Sequence, residues 1–261
     1  MPSFNDLDLK KWKELDDIET NSLWLFDKRD NSGKHSGFYH GNFIPQVPRQ
    51  LIKRYTKKGD FVLDPFLGSG TTAFECESLK RGCIGIELNP ELVSYVQEKI
   101  DTATKNIHCI CGDSTDPDIF QRVKKLLLKK KQIGLVILHP PYFDILKFSN
   151  NKRDLSNQRT YQDFFKLFCK VIDNSIQLLE NKRYLAIVIG DKYTKGEWIP
   201  LGFYSILAAQ GRKLKLKSII VKNMEGNRGK CAQHTIWRYR ALASDYYIFK
   251  HEYILIFQKE K

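Results

Sequence analysis

The chain has 261 residues, 42% hydrophobic and 12% aromatic, enough to fill one large core and to exclude wholesale disorder. No apolar run approaches the roughly 20 residues of a membrane span, and the polar, acidic start from Met1 to Asp8 is wrong for a secretory signal, so a cytoplasmic protein is expected. Net charge is +13, from 43 Lys+Arg against 30 Asp+Glu, which favours a polyanionic partner and makes nucleic acid the first candidate.

Residues 1–20 read as a frayed or helical leader, and residues 21–48, rich in Gly, Pro, Asn and aromatics, as an ordered loop region. Pro48 to Lys57 predicts a helix with Leu51, Ile52 and Tyr55 on one face. Gly59-Asp60 signals a turn, and Phe61-Val62-Leu63 is the first strand. Thr71 to Lys80 is the next helix, and Cys83 to Glu87 the second strand. Asn89-Pro90-Glu91 opens another helix with Pro near its first turn. His108 to Cys111 is the third strand, ending at Gly112-Asp113, and Asp116 to Lys131 is a basic helix. Leu135 to Leu138 is the fourth strand and runs into His139-Pro140-Pro141-Tyr142. A long amphipathic helix spans Tyr161 to Leu179, a fifth strand Tyr184 to Gly190, and a helix Ile199 to Gln210. Strands at Leu216 to Val221 and Tyr253 to Gln258 close the chain. This alternation predicts a single α/β domain over residues 1–261, with a mostly parallel sheet covered by helices on both faces. Lys222 to Phe249 fits the alternation least well.

The six cysteines, Cys76, Cys83, Cys109, Cys111, Cys169 and Cys231, are too sparse for a disulfide scaffold. No second Cys or His pair has ligand spacing, so free, mostly buried thiols and no metal are expected.

Two strand ends carry the chemistry. Asp64-Pro65-Phe66-Leu67-Gly68-Ser69-Gly70-Thr71-Thr72 lies between a strand and a helix. Gly68 and Gly70 let a backbone approach a ligand and tolerate φ values that other residues avoid. Glu87 ends the next strand, where an acid suits the two hydroxyls of a ribose. Gly-x-Gly-x-x-Gly is missing, which disfavours a dinucleotide. In the second stretch the paired prolines stiffen the loop, since each locks φ.

Together these stretches resemble the cofactor and catalytic loops of the S-adenosylmethionine-dependent DNA amino-methyltransferases, which form N6-methyladenine or N4-methylcytosine. The resemblance covers roughly residues 22–143 and implies a Rossmann-like class I methyltransferase fold with S-adenosylmethionine as cofactor. It places Asp64 at the methionine amino end, Phe66 over the cofactor, Glu87 on the ribose and Asp113 on the adenine amine. Gly68 and Gly70 would make room. Gly41-Asn42-Phe43-Ile44-Pro45 is similar to the segment that grips the methionine part, so Asn42, Phe43 and Pro45 join the cofactor set with Thr71, Leu88 and Ser114.

The family's catalytic pattern is Asp, Asn or Ser followed by Pro-Pro and an aromatic; here His139 takes the first place. The resemblance gives His139 and the Pro140 carbonyl the task of accepting hydrogen bonds from the target amine. Pro141 stiffens the loop, and Tyr142 stacks on a base taken out of the duplex. Only neutral His can accept, so activity is expected to fall near the ordinary His pKa of about 6.5. A purely structural His139 is the alternative. The His also removes the usual distinction between adenine and cytosine.

No large insertion separates the two loops, so recognition of double-stranded DNA is expected downstream, in residues 222–249. Lys222, Asn223, Arg228, Lys230, Arg238 and Arg240 are the candidate DNA-binding residues, with Arg and Lys suited to guanine edges and Asn to adenine. Asn150 to Arg159 is a second candidate, as a mobile DNA-facing loop. An RNA or protein amide methyltransferase, and a catalytically inactive DNA-binding specificity subunit, stand as alternatives. A cognate restriction endonuclease as partner, and the choice of monomer or homodimer, stay open.

Overall fold

A computed structural model describes residues 4–127, 133–224 and 234–261, the last stretch without the side chains of residues 234 and 235. In chain order the elements are β1 (Leu23–Trp24), α1 (Gln46–Tyr55), β2 (Phe61–Asp64), α2 (Thr71–Ser78), β3 (Gly82–Glu87), α3 (Pro90–Lys99), β4 (Ile107–Cys111) and α4 (Pro117–Leu126). They continue with β5 (Ile133–Leu138), α5 (Tyr161–Leu178), β6 (Leu179–Ile189), β7 (Lys192–Thr194), β8 (Glu197–Ile199), α6 (Leu201–Gln210), β9 (Leu214–Asn223), α7 (His234–Leu242) and β10 (His251–Lys259).

Eight strands form one sheet in the order β1-β9-β10-β6-β5-β2-β3-β4. All neighbours pair in parallel except β10, which runs antiparallel to both β6 and β9. The central strands β2 and β5 are buried along their whole length, as a sheet covered on both faces requires. Phe61 and Leu63 point into one core with Phe120, Phe164, Phe168 and Leu201, under α4, α5 and α6. Val62, between them, points into the other core with Leu51, Phe74 and Val96, under α1, α2 and α3.

Helix starts follow local chemistry. Asn89, Asp116 and Thr160 each accept a hydrogen bond from a backbone amide in the first turn of α3, α4 and α5, and Pro90 and Pro117 occupy first-turn sites that lack a donor requirement.

Four features differ from the sequence expectation. The leader is tied down: Phe4 lies 5.0 Å from the Tyr184 ring, and Asp6 accepts hydrogen bonds from the Lys58 amide and the Arg81 guanidinium. Asp8 then caps a short 3-10 turn over Leu9–Glu14. The chain next adds β1 to the sheet beside β9, a strand of two residues, too short for any alternation to show. Further along, β7 and β8 form a hairpin through Lys195 and Gly196, both at positive φ, as two-residue hairpin turns demand. The basic helix expected to reach Lys131 ends at Leu126, and residues 128–132 lie outside the described ones.

Candidate active site

Strand order reverses between β2 and β5, because the chain proceeds from β2 toward β3 and from β5 toward β6. In open parallel sheets, ligands bind outside the carboxyl ends of the strands at such a point. The sequence-derived candidates converge there. Asp64 ends β2, Glu87 ends β3, Asp113 follows β4, and His139 follows β5.

The turn after β2 is held by its own backbone. The Phe66 amide donates to Asp64 Oδ1 at 2.9 Å, the Leu67 amide to the Ile86 carbonyl at 3.0 Å, and the Gly68 amide to Glu87 Oε2 at 2.9 Å. Glu87 Oε1 accepts from the Asn89 amide at 2.8 Å. Each carboxylate oxygen keeps a second lone pair, so Glu87 can still receive a hydroxyl. Asp64 is 1% exposed, and burial pushes its pKa up to about 6, against the opposing pull of the Thr72 hydroxyl and the Phe66 amide. Burial also raises Glu87, despite amide donors from Asn89, Gly68 and Leu88. Asp113 takes the amide and hydroxyl of Thr115, both at 2.8 Å. Among the described residues no Lys, Arg or His forms an ion pair with Asp64, Glu87 or Asp113.

The glycines divide. Gly68 has φ +54°, and a Cβ there would come 3.2 Å from the Tyr39 ring and 3.4 Å from Asn42 Oδ1, on the side of the upstream segment. Gly70 has φ +88° and opens α2, but its Cβ space belongs to Val96, at 2.7 Å, and to Phe74. The missing side chain of Gly70 thus serves the packing of α3 on α2.

In the second loop Phe143 lies at φ +57°, and its amide donates to the Pro141 carbonyl at 2.9 Å, closing a tight turn. His139 is half-buried, with its ring 4.5 Å from that of Phe43 and edge-on to it. The upstream segment therefore touches the turn after β5 as well as the turn after β2. Tyr142 reaches inward: its hydroxyl donates to Glu252 Oε2 at 2.6 Å and lies 3.1 Å from His139 Nε2. Its ring rests where a Cβ on Gly190 would lie 2.9 Å away. Glu252 in turn accepts from Lys222 Nζ at 2.8 Å, across the β9–β10 pair in which the two residues are direct register partners. Burial lowers the His139 pKa to about 4, with Glu252 and Lys222 acting in opposite directions. Burial alone would raise Glu252, but the Lys222 charge and the hydrogen bonds from Lys222 and Tyr142 bring it below the ordinary carboxylate value.

A family model described as DNA methylase matches residues 5–98 and 133–261, most of the chain and both loops. The chain belongs to the N6/N4 DNA methylase family. Over 159 residues, 61% of this chain and 23% of the relative, it is 44% identical to the Type II methyltransferase M.MjaII of Methanocaldococcus jannaschii. It is 46% identical to M.BglI of Bacillus subtilis over 98 residues, 38% of this chain and 26% of that one. It is 38% identical to M.XycI of Xanthomonas campestris pv. cyanopsidis over 86 residues, 33% of this chain and 27% of that one. The matched stretches span about a quarter of these relatives' own length. Among solved structures, TrmN from Thermus thermophilus superposes with a TM-score of 0.53 at 14% identity, covering 84% of this chain and 50% of that one. A SAM-dependent methyltransferase from Methanosarcina mazei gives 0.51 at 12% identity, covering 80% and 97%. Those likenesses show the fold, the Rossmann-like methyltransferase sheet.

In this DNA methylase chain several expected roles move. Lys222 is buried at 5% exposure and paired with Glu252, so it faces the interior and not a phosphate. Asn223 exchanges two hydrogen bonds with the backbone of Phe26, which ties β9 to the segment after β1. Ser114 is buried and donates to the Pro65 carbonyl at 2.6 Å, clamping the turn after β4 to the turn after β2. Pro45 is the buried residue that opens α1, and Thr71 the buried residue that opens α2. Asn42 donates to the Ser69 hydroxyl, and half-buried Phe66 and Leu88 flank the crevice acids in the chain. Arg238 and Arg240 are exposed on α7, with Arg240 stacked over Trp237. Arg228 and Lys230 lie outside the described residues, as does Cys231. The loop expected to be mobile, Asn150 to Arg159, is laced around buried Asp154, which binds Ser149 and Ser156, while Lys152, Arg153 and Arg159 stay exposed.

Sequence reading missed Tyr39, Glu252 and the interior role of Lys222. A signal existed for the pair: Glu252 is in phase with Ile254 and Ile256, and Lys222 with Ile220, so both polar residues sit on buried faces of their strands. Among the described residues no cluster of His, Cys, Asp or Glu could hold a metal ion, and no helix is long and apolar enough to cross a membrane.

Proposed function

We propose that this chain transfers a methyl group from S-adenosylmethionine to the exocyclic amine of adenine or cytosine in duplex DNA. The observation that carries the reading is the placement of three acids with no ion-pair partner among the described residues, Asp64, Glu87 and Asp113, at the carboxyl ends of β2, β3 and β4, the end of the sheet that also carries the His139–Pro140 turn after β5.

The donor set fits the cofactor. S-adenosylmethionine carries a cationic ammonium and a cationic sulfonium, a ribose diol and an adenine amine. A buried carboxyl without a cationic partner, such as Asp64, suits the ammonium; Glu87 suits the diol and Asp113 the amine. When bound, the cofactor supplies an electrophilic methyl group and leaves as a neutral thioether. The chain's own residues supply position. His139 and the Pro140 carbonyl accept hydrogen bonds from the target amine, whose lone pair would otherwise stay delocalised into the base. Pro140 and Pro141 hold the turn rigid, and the proton of the methylated amine is lost to solvent.

DNA affinity would come from exposed cations. The β7–β8 hairpin anchors the segment after α7, through Tyr193 stacked 4.6 Å from Tyr246 and Trp198 at 4.2 Å from Phe249. That places Arg238 and Arg240 on a supported surface element, with Lys152 and Arg153 exposed on the loop after the catalytic turn. The relatives named above are Type II methyltransferases, which supports a site-specific role on DNA. Incubation with S-adenosylmethionine and DNA, then digestion to nucleosides and mass spectrometry, tests the reading. N6-methyladenine or N4-methylcytosine is expected; methylation of RNA in a parallel reaction, and none of DNA, would move the substrate class.

A further inference from the structure

We infer that Glu252 and Lys222 form a buried positioning pair that, through Tyr142, sets the tautomer of His139 and leaves its Nδ1 as the acceptor facing the target amine. The inference rests on the functional reading above for the amine, but the tautomer itself follows from the hydrogen bonds alone. A tyrosine hydroxyl has one proton to give. At 2.6 Å from a carboxylate oxygen, that proton lies toward Glu252. Glu252 stays ionised because its other oxygen is held by the Lys222 ammonium at 2.8 Å, both side chains being buried. The Tyr142 oxygen is therefore left as an acceptor. His139 Nε2, 3.1 Å away, must then be the protonated nitrogen. A neutral imidazole carries one ring proton, so the lone pair is on Nδ1, which has no partner among the described residues.

The pair is specific to this loop. An Asp, Asn or Ser in the first position presents an acceptor oxygen without help, whereas a His presents either a donor or an acceptor according to its tautomer. His139 thus requires a relay that an oxygen would not. The strand geometry builds it: Glu252 and Lys222 are cross-strand partners at the carboxyl edge of the sheet, and Gly190 leaves room for the Tyr142 ring to reach them.

Glu252→Gln makes a sharp test. Lys222 would take the amide carbonyl, leaving the amide NH2 to donate to the Tyr142 oxygen. The tyrosine proton would turn to His139 Nε2, and the ring proton would move to Nδ1. The full chain labelled with 15N-histidine would be read by two-bond 1H–15N correlation, with the His139 signals identified by their loss in His139→Asn. In the wild type, Nδ1 should resonate as unprotonated and Nε2 as protonated; in Glu252→Gln the pattern should reverse, and in Tyr142→Phe it should become a mixture. The same Glu252→Gln variant should lose methyl transfer by at least about tenfold in kcat, with KM for S-adenosylmethionine unchanged. The five other histidines report whether each variant is folded. A wild-type His139 protonated on Nδ1, or a wild-type pattern retained in Glu252→Gln, would overturn the inference. The stated tautomer without any methylation of DNA would overturn the functional reading and leave the tautomer standing.

Discussion

At the residue scale, the crevice acids and His139 carry opposite burdens of burial. Asp64 and Glu87 are acids kept from water without a protein cation, so their charged forms await a cationic or hydroxylic ligand. Glu87→Ala removes the diol partner and frees the Gly68 amide, and should weaken S-adenosylmethionine binding by about 1–3 kcal/mol in calorimetry. His139 is a base kept from water, with its pKa lowered to about 4. The unfolded chain would take up this proton near pH 6.5, so the stability linked to neutral His139 is present above that pH and is lost as pH falls toward 4. The acid limb of activity should accordingly not follow an ordinary histidine. The two groups separate in kinetics: kcat/KM for the cofactor should fall below about pH 6 as Asp64 takes up a proton, while kcat in the saturated complex should hold to near pH 4. A kcat that halves near pH 6.5 would show His139 to be solvated in the working enzyme.

At the element scale, the turns matter more than the strands that present them. Gly190 follows β6, and a Cβ there would press on the Tyr142 ring at 2.9 Å and 3.1 Å. Gly190→Ala should therefore displace Tyr142 and cut methyl transfer, while costing roughly 1–3 kcal/mol of stability through overpacking. Urea unfolding and turnover measured on the same preparation check both. On α7, Arg238 and Arg240 are exposed cations on an element braced by aromatic contacts with the β7–β8 hairpin. Replacing both with Ala should weaken duplex binding and make its salt dependence shallower, by a slope change of about 1 for each arginine that meets a phosphate. A changed methylation motif, mapped by sequencing, would instead place one of them on a guanine edge.

At the scale of the whole molecule, the N-terminal arm closes the amino edge of the sheet, opposite the crevice. Phe4 packs against the Tyr55–Tyr184 ring pair, and the Phe4 carbonyl accepts from Arg183. Asp6 pairs with Arg81, whose side chain is only 6% exposed. Asp6→Ala leaves that guanidinium with its remaining bonds to Thr56 and the Leu79 carbonyl, and should cost about 1–2 kcal/mol, moderated by the exposure of Asp6 itself. Cofactor affinity should not change, because the arm and the crevice lie at opposite ends of the strands. Thermal unfolding with and without S-adenosylmethionine measures both quantities at once.

Strand–helix alternation, the glycine turn after Asp64, Glu87 on the next strand and the His-Pro-Pro-Tyr turn were all legible in the amino-acid sequence by itself. They are local: each needs only neighbours within a few residues, and periodicity reports which face of a segment is apolar. The fold class follows from them, as does the placement of Asp64, Glu87 and the His-Pro-Pro-Tyr turn at strand ends. What tertiary structure alone decided is which polar residues face inward. Lys222 and Asn223 look like DNA contacts in a basic stretch, yet a direct register partner on β10 turns one into a buried ion pair, and the backbone of Phe26 takes the other. Gly70 looks like a ligand glycine, and Val96 from the next helix claims its space. The tautomer of His139 depends on Glu252, a residue 113 positions later. No local pattern carries that information, because cross-strand register and helix packing join residues through the folded sheet and not along the chain.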